Sequence, residues 1–194
     1  MGPAVTRLEA AGLDTDGQNV VCFTEAPLQN VRSLLGDIEG RSCHFQPYGV
    51  ALTKHQGRQF CINPVWYLDQ TPGLQGQFKP WLNTEVDKLV EAAIAAGQDE
   101  AAPIFQLTPF IEQMGTWEGS RKEFWWEREW RCRGNFGLPD RVIVLCPEND
   151  FDEFKALIRQ HGRQDRCALI DPQWSLERMI AYLAGFSRTD ALPF

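Results

Sequence analysis

Two carboxylates one residue apart, Glu127 and Glu129, lie in a run of aromatic and basic residues, FWWEREWRCRG, from Phe124 to Gly134. Read with period two, Glu127, Glu129, Arg131 and Arg133 share one face of an extended segment, and Trp126, Arg128, Trp130 and Cys132 share the other. Carboxylates at i and i+2 on a strand project to the same side about 7 Å apart, so both can address one cleft. A carboxylate there can stabilise a developing cation, and a guanidinium beside it can hold a phosphate-bearing group. Arg121, Lys122, Arg128, Arg131 and Arg133 supply such a local basic group in an otherwise acidic chain. The same residues also fit a plainer arrangement. The charges can pair across neighbouring strands for a few tenths of a kcal/mol each, with Trp126 and Trp130 in the core.

These residues need a framework to hold them. Alternating aromatics favour a half-buried pleated surface, so Phe124–Gly134 is expected as a strand. Asn19–Glu25 reads as an earlier strand, followed by a helix entered at Pro27 and running to about Gly36. Thr24 stands at their junction, as a site residue or as the helix N-cap. Residues 40–47 read as a loop, Tyr48–Lys54 as a strand with a bulge or close approach at Gly49, and Pro64–Leu68 as another strand. After a glycine- and glutamine-rich loop (69–77), a Thr84/Asp87 capping box starts a helix with Val86, Leu89, Val90, Ala93 and Ile94 inward, stopped at Gly97. Pro103–Met114 fits a short strand followed by a proline-started helical turn. Arg141–Cys146 is a buried strand, Asp150/Glu153 boxes a helix closed by Gly162, and Cys167–Ile170 is a short strand. Ser175 caps a last helix with Leu176, Met179, Ile180 and Leu183 inward, and the final eight residues fray.

Without repeats or a low-complexity linker, this pattern is an α+β single domain over 1–194, with a mixed, largely antiparallel sheet flanked by helices. The strand–helix–strand–helix of 141–186 can pack as a subunit of it, and the chain is read as a core over 19–146 with a C-terminal α/β extension over 147–194. A net charge of −7 argues against nucleic acid as a general ligand, because phosphate binding needs a basic footprint. No apolar run nears the ~20 residues that span a bilayer, and no signal pattern opens the chain, so no membrane role and a cytoplasmic location are expected. The six cysteines form no CxxC pair and are read as small buried hydrophobes. The three histidines share no ligand spacing, so no metal site is expected. GxSxG, Walker, GxGxxG and HExxH signatures are absent, whereas a cysteine–histidine pair brought together by the fold stays open.

Three pieces in order, CFTEAPL (Cys22–Leu28), YGVALTK with NPVWYL (Tyr48–Leu68) and EREWR (Glu127–Arg131), resemble the AbiGi family of abortive phage-infection proteins. The resemblance implies phage defence, as the antitoxin of an abortive-infection pair, with a protein partner that is a cognate toxin or a phage component. An acidic chain suits a basic toxin, since complementary fields speed encounter. A weaker resemblance is to ADP-ribosyltransferases of the DarT type, through Phe23-Thr24, Tyr48-Gly49 and the ExE form of Glu127-Arg128-Glu129. It implies NAD as cofactor, with Glu129 catalytic, Glu127 activating the acceptor and Thr24 on the early strand. Tyr48 would then stack on the nicotinamide, with Gly49 beside it in the ligand site and Arg128 or Arg131 on the pyrophosphate. The chain lacks the histidine that opens that site, which favours binding over catalysis.

Overall fold

In the computed structural model the described residues are 5–38, 44–72, 81–117, 119–123 and 125–185. Cys43, part of the 69–77 loop, Phe124 and the final eight residues therefore lie outside the description. The chain divides into two compact units. The first joins Met1–Glu25 to Gly57–Gly137, and the second joins Ala26–Gln56 to Leu138–Phe194. The α+β class is as expected, with nine short strands in three three-stranded sheets among the described residues.

In chain order the elements are α1 (Val5–Ala10), β1 (Val20–Thr24), α2 (Val31–Leu34), β2 (Gly49–Ala51), α3 (Lys54–Gln59), β3 (Asn63–Pro64) and β4 (Trp66–Asp69). There follow α4 (Trp81–Ala95), α5 (Pro103–Leu107), β5 (Ile111–Trp117), β6 (Ser120–Lys122), β7 (Glu129–Arg133), β8 (Val142–Leu145), α6 (Phe151–Gln160), β9 (Cys167–Ile170) and α7 (Leu176–Leu183).

The first unit holds two sheets, β1-β7-β3 and β4-β5-β6. β7 is central in its sheet and antiparallel to both neighbours, with Val20 opposite Arg133, Thr24 opposite Glu129 and Asn63 opposite Arg131. β4 and β5 are parallel, and the crossover that this requires is supplied by α4 and α5. The core of the unit lies under that crossover. Leu8 of α1, Val90 and Ala93 of α4, Ala102 and Phe105 are buried together, with Leu13, Val86, Ile94 and Ile104 around them. Its polar members are paired, since Gln18 Nε2 donates to the Phe105 carbonyl at 2.8 Å and the Thr108 hydroxyl donates to Gln18 Oε1 at 2.8 Å.

The second unit carries the sheet β2-β8-β9, in which α6 is the crossover between the parallel strands β8 and β9. Cys146, Phe151 and Leu169 form its core, with Val144, Phe154, Ile158 and Trp174 packed on them.

Several local expectations are corrected. α4 begins at Trp81, so Thr84 lies inside the helix and is not its cap, although Gly97 does take the left-handed conformation (φ +65°) that ends it. The order in 103–114 is reversed: Pro103 opens α5, and Ile111 opens a strand. Pairing with β4 decides the second half, and just past that register Gly115 has φ +112°. A Cβ there would stand 2.3 Å from Asp69 Oδ1 and 3.0 Å from the Thr71 nitrogen. α3 and β6 carry no apolar periodicity and were not expected. Gly49 pairs in register with Leu145 and marks no bulge. Asp150 makes no side-chain cap, because its carboxylate accepts from Tyr48. Ser175 does cap α7, accepting from the Arg178 amide at 3.2 Å. Of the stripe expected inward on α7, however, only Met179 is buried, and Leu176, Ile180 and Leu183 are exposed. Leu89 and Leu157 are likewise exposed.

Candidate functional site

The aromatic run is shorter as a strand than its alternation suggests. Trp125–Glu127 form a turn of 3-10 helix, Arg128 has φ +44°, and only Glu129–Arg133 are strand. The break is held by contacts from a distant part of the chain. The turn places the Glu127 carbonyl where the Thr24 hydroxyl donates to it at 2.8 Å, and the Glu25 amide reaches the Glu127 and Arg128 carbonyls at 3.3 Å. The alternation that would align Glu127 with Glu129 therefore stops at Glu129. Thr24 ends β1 and helps hold this turn; it does not cap the helix after Pro27.

Glu25, expected as a strand end or as a cap of the helix after Pro27, gathers the next contacts. Its carboxylate accepts from Trp130 Nε1 at 2.8 Å and lies 3.6 Å from Arg128 Nη2. Trp130 is half-buried and Trp126 is 48% exposed, so Trp126 is not a core residue.

The face of β7 that carries Glu129 and Arg131 is turned inward. The Arg131 side chain is 8% exposed. Its Nε donates to Glu129 Oε1 at 2.8 Å and its Nη2 to Glu129 Oε2 at 3.0 Å, the bidentate geometry that a planar guanidinium favours. Nη2 also donates to Glu112 of β5, and Nη1 donates to the Pro109 carbonyl at 2.8 Å. The other oxygen of Glu112 accepts from Lys122 of β6. The Glu129 amide donates to the Tyr67 hydroxyl at 2.7 Å, and Tyr67 sits edge-on to Trp125. Two carboxylates and two cations thus neutralise one another across the two sheets of the first unit.

The electrostatics follow from that closure. Burial alone would raise the Glu112 pKa, but Lys122 and Arg131 outweigh it and hold the carboxyl below its ordinary 4.5. Arg131 is pushed the other way by its two carboxylates against the effect of burial, so it stays charged throughout. Cys22, opposite Arg131 on β1, is pushed up to about 11, first by burial and then by Glu129. Cys146 is likewise raised to about 11 by burial. Neither is a thiolate near neutral pH, which removes the activation a cysteine nucleophile needs. As whole residues Cys22 and Cys61 are exposed, contrary to the expectation that the cysteines are buried, although the Cys22 thiol itself is half-buried beside Glu129.

A titration checks the Glu112 assignment. Its folded pKa lies below the unfolded value, so its contribution is present above about pH 4.5 and is lost as pH falls through the depressed folded value. Urea midpoints of the wild type should therefore fall relative to those of Glu112→Gln as the buffer is taken below that pH. Parallel profiles would show that Glu112 is not held by Lys122 and Arg131.

The structure gathers some of the expected site residues and not others. Glu129 and Arg131 are in direct contact, Thr24 touches the Glu127 backbone, and Arg128 lies on Glu25. Tyr48 and Gly49 belong to the other unit, on the approach to and start of β2. There the Tyr48 hydroxyl donates to Asp150 at 2.8 Å and its ring stacks on Phe154 at 6.0 Å. Glu112, Tyr67 and Glu25 were not among the expected site residues, and Lys122 was expected only as part of the local basic group. A charged residue inside the apolar run PFIEQM was the one available signal for Glu112.

The first unit also has an open cavity of about 420 Å³, lined by Asp16, Gly17, Glu100, Arg133 and Gly134. Its polar groups satisfy each other, with Arg133 Nε donating to the Gly17 carbonyl at 2.6 Å and the Gly17 amide donating to Glu100 at 3.0 Å. None of the expected catalytic residues lines it. Among the described residues no group of three or more His, Cys, Asp or Glu is placed to hold a metal ion, and no helix is long and apolar enough to cross a membrane.

No curated protein and no solved structure shows significant similarity to the chain. A family model does match, over residues 7–151, with the description "Putative abortive phage resistance protein AbiGi, antitoxin". That span contains β1 to β8 and the whole paired-charge network. The chain belongs to the AbiGi family and is a component of a phage-defence system of the toxin–antitoxin kind.

Proposed function

We propose that the chain acts as an antitoxin by binding its cognate toxin as a folded protein, with no reaction of its own. Family membership over residues 7–151 is the observation that carries this reading. Two features support it. The ionisable groups that could have formed a catalytic centre are spent on each other, since both oxygens of Glu129 are held by Arg131. The acidic charge is also uneven: the first unit has fifteen Asp and Glu against nine Lys and Arg, the second eleven against ten. An acidic body of this kind attracts a basic partner through its long-range field. Glu129, Arg131 and Thr24 are on this reading positioning residues for β7, and Tyr48 positions α6.

The test is to express a candidate toxin from the same genome, purify both proteins, and titrate one into the other by calorimetry. A stoichiometric complex is expected, with an association rate that falls about tenfold or more from low to high salt. A toxin left active and unbound by a folded antitoxin would sink the proposal. Incubation of the chain with millimolar NAD⁺, followed by NMR, should release no nicotinamide, and release that Glu129→Gln abolishes would replace the binding reading with an enzymatic one.

A further inference from the structure

We infer that the outer edge of β1 is the surface on which the toxin docks, by adding an extended, basic segment of its own to the sheet β1-β7-β3. This deepens the toxin-binding reading and rests on it. Among the described residues β1 pairs with β7 on one side and with no strand on the other. The register states which backbone groups are spoken for. The Gly134 amide donates to the Asn19 carbonyl and the Glu25 amide to the Arg128 carbonyl, so the odd-numbered residues of β1, Val21 and Phe23 among them, bond to β7. Val20 and Cys22 direct their amides and carbonyls outward, and Cys22 is exposed.

An open edge of this kind is a template for a further strand, and folded chains commonly blunt it with lysine, proline or a bulge. The segment VVCFT has no charge and no proline, and its five pairs with β7 run without a bulge. The edge is thus left in the form that strand addition uses, in which backbone hydrogen bonds supply affinity and alternate side chains supply specificity.

Charge selects the occupant. β1 belongs to the unit with six excess negative charges, fifteen acidic against nine basic residues. A second copy of this chain would bring an equal negative body to the same edge, whereas a basic segment gains from the field.

Amide hydrogen exchange on the full chain, alone and bound to its co-purified toxin, reads the proposal residue by residue. In the free chain the Val20 and Cys22 amides should exchange faster than those of Val21 and Phe23. In the complex they should slow at least tenfold while Val21 and Phe23 change little. Cys22→Pro removes one outward N–H and none of the bonds to β7, so it should weaken toxin binding tenfold or more with circular dichroism unchanged. A complex that forms with Val20 and Cys22 exchanging as before overturns the edge assignment and leaves the antitoxin reading standing. Should Cys22→Pro fold poorly, the exchange pattern alone decides. Sedimentation as a dimer without toxin, with slowed Val20 and Cys22 amides, gives the edge to a second copy and also overturns it. No complex at all removes both readings.

Discussion

Arg131→Ala is expected to destabilise the chain by about 3–5 kcal/mol, seen as a lower urea midpoint with little change of slope. The reason is asymmetric. With Arg131 in place, Glu112 and Glu129 have a cation within bonding distance, although their side chains are only 10% and 18% exposed. Without it, two carboxylates stay in a poorly solvated place, 112 still beside Lys122 and 129 with no cation on either oxygen. The intact network itself need not be strongly stabilising, because desolvation offsets most of the attraction in a buried ion pair. The triple variant Arg131→Met, Glu112→Gln, Glu129→Gln should therefore recover most of the loss. If Arg131→Ala costs under about 1 kcal/mol, the guanidinium does not clamp the two sheets. If the triple variant is no better than the single one, the network contributes more than the removal of a buried charge explains.

Phe105→Ala should cost a similar amount, roughly 3–5 kcal/mol, for a different reason. Phe105 is fully buried between α1 and α4 on Leu8, Val90, Ala93 and Ala102, so truncation leaves a cavity lined by atoms that cannot all move in. For a chain of this length that corresponds to a fall in Tm of roughly 6–20 °C. Tryptophan fluorescence is a suitable probe, because six of the seven tryptophans fall in the first unit and only Trp174 in the second. Leu89→Ala, at a site of the same unit that is 57% exposed, should move the same transition by about 0.5 kcal/mol or less. A Phe105 variant as mild as that control would mean that the core of the unit lies elsewhere.

How much of this was legible beforehand differs by element. β1, β8, β9, α6 and the Ser175 cap of α7 followed from local signals: β-branched runs, an apolar period and a hydroxyl before a helix. These signals act within a few residues and survive whatever packs on them. The segment 103–114 did not follow, because Pro103 permits helix in what looked like a strand, and β5 becomes a strand only by pairing with β4 across forty-one intervening residues. The family was visible in the order CFTEAPL, YGVALTK, NPVWYL, EREWR, which the match over 7–151 bears out.

The candidate site shows the same division. Sequence alone determined that Glu129 and Arg131 share a strand face, since the pleat fixes that within two residues. It also determined an acidic chain with no apolar segment able to span a membrane as a helix, and the family to which it belongs. Tertiary structure alone decided what that face meets. Glu112 and Lys122 arrive from β5 and β6, strands of another sheet, and turn a row of charges that could have faced water into a closed, neutral cluster. It also decided that Glu127 leaves the row, because a carbonyl of the preceding turn is captured by Thr24, more than one hundred residues away. Periodicity reports which side chains travel together; only long-range packing reports what they are pressed against, and for charged groups that partner decides whether they react, bind or simply hold the fold.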